Sequence, residues 1–594
     1  MKRTKFPIIR TISHRLSQPP RVLGGTRRSR LSAVAGIRTR RRPLALACAG
    51  ALVAAPLITA AATGTAQARA GAAGTHSARA EGSGPAATPT VNWALSGQAT
   101  ATSAGSGKPA SNAIDGDAGT DWCPSSWTGS LTADLGQIRS LTDLGITLDA
   151  ASPSADATIE VASQPGNWHV LTTARNIALD PGQPMYVPLG HESGIRFARL
   201  TVYSGTGAPV CVGEFRMYGA DRAAAGLYRG ADLSFTQQEI AAGAHFTDHG
   251  RPASPVTIMR DNGANYVRMR LWVNPPPGYS NLSSDLALAR QVRAAGMKIY
   301  LDIMYSDFWA DPQHQNIPAA WQGQDLAQLT QTVRSYTQQV TGAFAAQGTP
   351  ADMVAIGNEI RNGILWPVGQ VNDPTIPADY DNLATLLKAG VAGARAANPP
   401  GHQLLIMMHY DQGGSNQLSQ AFYQNLVSRG VPFDVIGLSY YPFFHGTISQ
   451  MRANVDALAT QFGKPIVIAE TQYAWTLANG NSAAGDSTGD FVWEPSLLSA
   501  GYPASPGGQL SFVTDELSIL AQVPGGLGAG LFYWAPEWIP GVGWEPGTGV
   551  GSPNVNLTLF DFQGRALPSI GIFGNPAAVC ESYSPYNVPC RIGS

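Results

Sequence analysis

Cysteine is scarce in this chain of 594 residues, with five in all. None stands in a C-x-x-C spacing, which argues against a thiolate zinc site. The chain also lacks an H-E-x-x-H pair, a Gly-rich phosphate loop and a Gly-x-Ser-x-Gly elbow near its strand ends. Metalloprotease, nucleotide-dependent and serine-esterase chemistry are thereby set aside. Acidic residues are missing from residues 1–68, which hold 13 of the 39 Lys and Arg. The remainder has 26 basic residues against 40 acidic ones, a net of −14, and would repel phosphate, so no nucleic acid partner is expected. Long apolar runs are lacking as well. The best, Pro43–Ala62, is short and broken by Pro56, which suits a membrane span poorly. With the basic segment before it and Ala66-Gln67-Ala68 after it, residues 1–68 read as a signal peptide with a long basic n-region. The Arg41-Arg42 pair leaves the twin-arginine route open beside the general one. Export, an extracellular location and no membrane anchor after cleavage follow as expectations.

Cys48 lies in the apolar part of that signal and is lost with it. Four cysteines remain, an even number in an exported chain, and pairing local to each domain gives Cys123–Cys211 and Cys580–Cys590. Residues 69–90 are almost wholly Ala, Gly, Ser, Thr and Pro and read as a flexible linker. From 91 to 220, short alternating runs such as Leu131–Leu135, Ala157–Val161 and Ala198–Val202 are separated by turn residues. This pattern predicts an antiparallel β-sandwich. After Ala220 the rhythm changes to short apolar strands separated by long amphipathic stretches.

Eight strands are expected: Gly230–Phe235, Tyr266–Trp272, Ile299–Tyr305, Met353–Glu359, Leu404–Tyr410, Val435–Tyr440, Pro465–Thr471 and Gly530–Trp534. Helical segments such as Asp285–Ala295, Leu326–Ala346 and Tyr380–Ala397 lie between them. Eight β-then-α units over 225–575 match a (β/α)8 TIM barrel, whose site lies at the C-terminal ends of its strands. Residues 576–594 form a tail with the last cysteine pair.

In that register Glu359 ends the fourth strand and Glu470 the seventh. A carboxylate at the end of an apolar strand is poor core material, because burying it unpaired is costly. A pair at one mouth suits glycoside hydrolysis, where one carboxyl protonates the leaving oxygen and the other attacks the anomeric carbon. Arg268 and Arg270 share the inward face of the second strand with Trp272, and a cation beside one glutamate would keep it ionised. Asn358 is placed to bind a sugar hydroxyl, or to form a turn. His409 is either a structural residue or a proton carrier. Asp302 and Asp307 flank the third strand's exit and could bind hydroxyls or cap the next helix. Aromatic residues crowd the same strand ends: Trp272, Tyr305, Trp309, Trp366, Tyr440, Tyr441, Tyr473, Trp475, Tyr533, Trp534, Trp538 and Trp544. As a set on one rim they favour an extended saccharide site, since aromatic faces stack on pyranose rings.

Several ordered motifs closely resemble glycoside hydrolase family 53. They are Gly230–Ser234, Tyr266–Asn274 (YVRMRLWVN), Leu301–Pro312 (LDIMYSDFWADP), Ile356–Pro367 (IGNEIRNGILWP), Asp434–Gly446 (DVIGLSYYPFFHG), Glu470–Tyr473 and Leu559–Pro568 (LFDFQGRALP). The resemblance implies a retaining endo-β-1,4-galactanase acting on pectic galactan, the type I arabinogalactan side chains, with Glu359 as acid/base and Glu470 as nucleophile. Arg268, Arg270, Trp272, Asp302, Asp307, Asn358, His409, Tyr441, Trp534 and Trp538 are expected at the substrate. No cofactor is expected for catalysis, and a monomer is expected. Two positions depart from the family pattern, with Met304 where a histidine is usual and Ala535 where a glutamate is usual. Some bacterial members hold calcium in the loop after the eighth strand. Here that loop, Trp544–Asn556, has few carboxylates, and the metal is not carried over.

The sandwich resembles discoidin-like domains and carbohydrate-binding module family 32 in Ala113–Asp117, Thr120–Trp122, Asp134–Gly136 and Gly213–Phe215. That resemblance implies a structural calcium near Asp115, Asp117, Thr120 and Glu214, oxygen ligands suited to such an ion. An Asx turn is the alternative. Two rival functions remain at this point: a related glycanase acting on mannan or β-glucan, and a catalytically decayed glycan-binding protein.

Overall fold

The computed structural model describes residues 90–574, apart from 172–176, 180, 221–225, 276–277, 373–378 and 544–550. The expected signal peptide, nearly all of the linker, Cys48, Trp544 and the Cys580–Cys590 pair lie outside the described residues.

The N-terminal domain is one antiparallel system of eight strands: β1 (Thr90–Asn92), β2 (Gln98–Ala101), β3 (Thr128–Leu148), β4 (Ala155–Ala162), β5 (His169–Val170), β6 (Ile177–Leu179), β7 (Pro184–Ser204) and β8 (Val212–Ala220). Their order is β1-β8-β3-β7-β4-β5, with β2 on β3 and β6 on β4. The two longest strands, β3 and β7, each run 21 residues. Their mutual register slips between Asp134 and Asp143, and such irregularities let a strand bend and pass from one face of a sandwich to the other. A core of Trp122, Leu131, Ile146, Ile159, Leu200 and Phe215 fills the space between. The Cys123–Cys211 disulfide closes it, as expected.

Eight parallel strands close the barrel: β9 (Tyr228–Asp232), β10 (Tyr266–Leu271), β11 (Lys298–Ile303), β12 (Met353–Ile356), β13 (Leu405–Tyr410), β14 (Val435–Ser439), β15 (Ile466–Thr471) and β16 (Gly528–Tyr533). All eight expected strands are present. The helices are α1 (Thr236–Ala241), α2 (Pro255–Asp261), α3 (Leu282–Ala294), α4 (Leu326–Ala346), α5 (Tyr380–Ala397), α6 (Asn416–Ser428), α7 (Pro442–His445), α8 (Ile448–Phe462) and α9 (Pro506–Ala521). Capping boxes start three of them, built by Asn281 with Ser284, Asp325 with Gln328, and Thr447 with Gln450. Each satisfies backbone N–H groups that the first turn leaves free. No helix among the described residues is long and apolar enough to cross a membrane.

Helix α9 is unusual in being buried on nearly all sides. A helix apolar or covered all round must have a partner on each face. On one face Glu516 accepts a hydrogen bond from Thr471 Oγ1 at 2.9 Å, and Gln509 Nε2 donates to the carbonyl of Tyr473. The other face meets the sandwich. Arg216 Nε donates to Asp515 Oδ2 at 2.7 Å, with the two side chains 1% and 0% exposed. Tyr186 OH bonds Ser511 Oγ, Asn92 N–H donates to Ser518 Oγ, and Gln522 Nε2 donates to the carbonyl of Asn92. Nearby, Arg452 donates to the carbonyls of Asp115 and Leu95. The surfaces approach so closely at Gly501 that a Cβ there would stand 2.2 Å from the Cβ of Ala118.

Candidate active site

Glu359 follows β12 in a left-handed conformation, φ 46° and ψ 52°. Tyr305 (φ 48°) and Ala535 (φ 41°) take up the same conformation just beyond β11 and β16. Non-glycine residues are strained there, and such strain gathers where a side chain must be aimed rather than packed. Glu359 is thereby lifted out of the ladder and turned into the mouth. Glu470 stays within β15, opposite Ser439 of β14. One carboxylate oxygen of Glu359, one of Glu470 and a ring nitrogen of His409 lie within 4.8 Å of one another.

The two carboxyl groups have different neighbours. Arg268 Nη2 stands 2.7 Å from Glu470 Oε1, and Tyr441 OH donates to Glu470 Oε2 at 2.8 Å. Glu359 has no cation of that kind; its Oε1 accepts a hydrogen bond from Ser439 Oγ at 2.6 Å. Burial raises both acidities' pKa values. Glu359 is pushed well above the usual carboxylate range by burial and then by the charge of Glu470, whereas Arg268 and Tyr441 counter the effect of burial on Glu470. When the pair holds one proton, it belongs on Glu359.

His409 completes this arrangement. Its Nε2 lies 2.8 Å from Ser439 Oγ. Because Ser439 gives its proton to Glu359, its oxygen can only accept, so His409 carries its proton on Nε2. Burial, and then Arg268, hold the imidazole pKa well below its usual value, so the ring is neutral. Between the two readings left open for His409, the structure gives it an orienting part.

Arg268 is the hub beneath the mouth. Its Nη1 donates to Asp232 Oδ2 and its Nη2 to Asp302 Oδ2, both at 2.7 Å, and Nη2 also lies 2.9 Å from Asn358 Oδ1. Asn358 Nδ2 donates to the carbonyl of Ala310, which fixes its amide. Arg268 and Asp302 are wholly covered and reach the site through Glu470 and Asn358. Asp307 accepts from the backbone of Ala319, at the start of the short helical turn Ala319–Trp321. This corresponds to the capping alternative.

Arg270 is held differently. Its guanidinium lies over the rings of Trp309 (4.2 Å), Phe235 (4.5 Å) and Trp272 (4.5 Å), and burial pulls its pKa down to about 10. Phe235 stacks on Trp538 at 4.0 Å, and Trp534 and Trp309 join the group. Met304 packs here too, its sulfur accepting the Trp272 indole N–H. Two residues after Ala535, Glu537 is buried and bonded by the Thr236 hydroxyl. Burial and Asp232 raise its pKa to about 8.

The expected aromatic rim needs correction. Tyr305, Tyr440, Tyr473 and Tyr533 belong to the barrel's outer core. Tyr305 OH bonds Thr337 of α4, and Tyr473 stacks on Phe512 of α9. Alternation along a strand sends neighbouring side chains to opposite faces, and these four face the helices. Ser439 was the residue missed. It stands inside the Asp434–Gly446 motif, where a serine on an apolar strand was the available signal.

An eight-stranded parallel barrel with paired carboxylates at the ends of its fourth and seventh strands defines a glycoside hydrolase. Residues 228–573 match the family described as Glycosyl hydrolase family 53, and residues 98–212 match the F5/8 type C domain. A "Probable arabinogalactan endo-beta-1,4-galactanase A" of Neosartorya fischeri is 36% identical over 356 residues, 58% of this chain and 93% of that protein. An "Uncharacterized protein in bgaB 5'region" of Niallia circulans is 39% identical over 345 residues, 57% and 91% of the two chains. Among solved structures, an Ignisphaera aggregans GH53 catalytic domain is 35% identical with a TM-score of 0.54, covering 59% of this chain and 95% of its own. The chain belongs to glycosyl hydrolase family 53.

Proposed function

We propose that the protein is a secreted, retaining endo-β-1,4-galactanase that cleaves β-1,4-galactan through a covalent glycosyl-enzyme. The observation that carries this reading is the asymmetry of the pair: Glu470 has a cation and a phenol, Glu359 only a hydroxyl. Their close approach supports retention, which takes carboxyl groups about 5–5.5 Å apart, over inversion, which leaves room for a water between them. The names of the relatives support galactan as the polymer. Secretion rests on the signal-like residues 1–68.

In the first step Glu359 gives its proton to the glycosidic oxygen as the bond to the anomeric carbon breaks. Glu470 attacks that carbon, forms an ester and releases the shortened chain. A water molecule then attacks the same carbon and passes a proton to Glu359 while the ester bond breaks, returning Glu470 as a carboxylate. Ser439 occupies Oε1 of Glu359, leaving Oε2 to carry the acid proton. Arg268 and Tyr441 stabilise the charge that returns to Glu470. Asn358, with Trp272, Trp534 and Trp538 behind Arg270 and Phe235, shapes the wall for the sugar.

The test is release of reducing ends from pectic galactan, mannan and β-glucan by purified enzyme. Release from galactan at least about a hundredfold faster than from the other two is expected, a difference that contacts to one hydroxyl arrangement can supply. Preferential release from mannan or β-glucan would replace the substrate, and release from none would favour the glycan-binding alternative.

The sandwich's acidic loop fits a calcium ion in part. Asp115 accepts from Thr120 Oγ1. Glu214 uses Oε1 on the Gly116 N–H, while its buried Oε2 has no hydrogen-bond partner. Burial raises the pKa values of both carboxyls, and a hard cation would take the place of their protons. Asp117 fits less well, since its two oxygens accept from Gly119 N–H and Ser449 Oγ. Calcium at a hundred times its dissociation constant adds about 2.7 kcal/mol of stability. A melting temperature several degrees higher in calcium than in chelator is expected for wild type and not for Glu214→Gln; equal melting of wild type under both conditions would remove the ion.

A further inference from the structure

Beyond Glu470 the aromatic residues continue outward in an unbroken series. Tyr441, whose hydroxyl touches the nucleophile, has ring centroids 5.6 Å from Phe443 and 6.3 Å from Phe444. Phe444 in turn lies 5.5 Å from Phe491 in an edge-to-face contact. Phe444 is 58% exposed and Trp493, two residues beyond Phe491, is 59% exposed. Leaving two large rings in water forgoes the burial that usually stabilises them, and such a patch on a soluble surface marks a place where something else lies.

The support beneath them is rigid. Phe443 packs into a small core with Ala474, Val492 and Leu557. It thereby anchors α7 from below while its neighbour Phe444 faces out. The other segment is fixed on both sides of its buried Val492. Asn556 Nδ2 donates to the Val492 carbonyl at 2.6 Å, and the Phe491 N–H donates to the carbonyl of Pro553. Held rings lose little freedom on binding, which is what a recognition surface needs.

We propose that Phe444 and Trp493, backed by Phe491, form a stacking platform for a pyranose ring of the polysaccharide lying outside the cleavage point. The occupant follows from continuity: the series starts at the residue that holds the nucleophile, so a chain threaded through the site runs on along it. The apolar face of a hexopyranose is the chemistry such rings receive. A short substrate filling only the positions around Glu359 and Glu470 does not reach it. The inference rests on the polysaccharide substrate proposed above.

Kinetics of wild type, Phe444→Ala, Trp493→Ala and the double variant test it, using long galactan and an activated aryl β-galactobioside. The double variant is expected to raise KM on the polymer about tenfold, the worth of about one good ring contact, with kcat/KM on the aryl substrate within twofold of wild type. Phe444→Tyr and Trp493→Phe should restore the polymer KM. Unchanged polymer kinetics in the double variant would overturn the platform, and so would an equal loss on both substrates. If the wild type cleaves a different polymer, the same ratio is read on that polymer, so failure of the substrate assignment is distinguished from failure of the platform.

Discussion

Glu470→Ala should lose on the order of 10⁴-fold or more in turnover, the scale on which removal of a covalent nucleophile is felt when the rest of a site stays intact. The cavity left by its carboxylate opens onto Arg268 and Tyr441, a cation and a hydroxyl suited to a small anion. Azide should enter there, attack an activated β-galactoside on the face Glu470 used, and yield an α-galactosyl azide. Glu359→Ala should behave differently. Its loss should be large for the polymer and much smaller for an aryl galactoside whose leaving group needs no proton, and azide should then give the β product. The pH dependence follows from the same asymmetry. Glu359 must be protonated, and its pKa is held high by burial and by Glu470, so its deprotonation sets the alkaline limb of kcat/KM. That limb should vanish in Glu359→Ala. Product stereochemistry by NMR decides the assignment: a β-azide from Glu470→Ala would exchange the two roles, and wild-type turnover by that variant would end the proposed mechanism.

Arg268→Ala should have the second-largest effect, and on two readouts. Arg268 is a fully buried cation within 2.7 Å of Asp232, Asp302 and Glu470. Removing one partner of such a group leaves uncompensated charge in the interior and typically costs about 3–5 kcal/mol. Chemical denaturation should show a loss of that size, or an unfolded variant. Arg268→Lys keeps the charge but not the fork that reaches Asp232 through Nη1 and the other groups through Nη2, so it should fold and still turn over slowly. Its pH profile carries the sign. Arg268 opposes the rise that burial imposes on Glu470 and on Asp302, whose pKa already stands at about 6. With a poorer cation the pKa of Glu470 rises, and since Glu470 must be ionised to attack, the acid limb moves to higher pH. An acid limb that stays in place in Arg268→Lys would mean that Arg268 does not set the charge of Glu470.

The catalytic pair was legible because a strand's end can be read from the apolar run before it, and a glutamate closing such a run stands out. Its surroundings were less legible, for identifiable physical reasons. The fourth strand was expected to run through Glu359, but the ladder stops at Ile356. Gly357 (φ 88°) and Glu359 both adopt left-handed conformations, which a strand pattern does not announce. Tyrosines beyond strand ends read alike whether they face the mouth or the helices, and four of them face the helices. Ser439 looked like strand filler until Glu359 and His409 were seen on either side of it. Arg216 and Asp515 are 299 positions apart, and no local periodicity links residues so distant.

That last pair also bears on how this architecture can be inherited or rebuilt. An appended sugar-binding domain is commonly pictured as a cassette, exchangeable at a linker without disturbing the catalyst. Here the junction is a seam. A barrel cut free near residue 225 would present to water the polar row of Ser511, Asp515 and Ser518 on α9, together with the carboxylate that Arg216 neutralises. The same helix reaches the nucleophile's strand through Glu516 and Thr471. Grafting a foreign module onto this barrel, or this module onto another enzyme, therefore requires carrying the α9 surface with it. The two domains constitute a single heritable block, and recombination that separates them breaks a core.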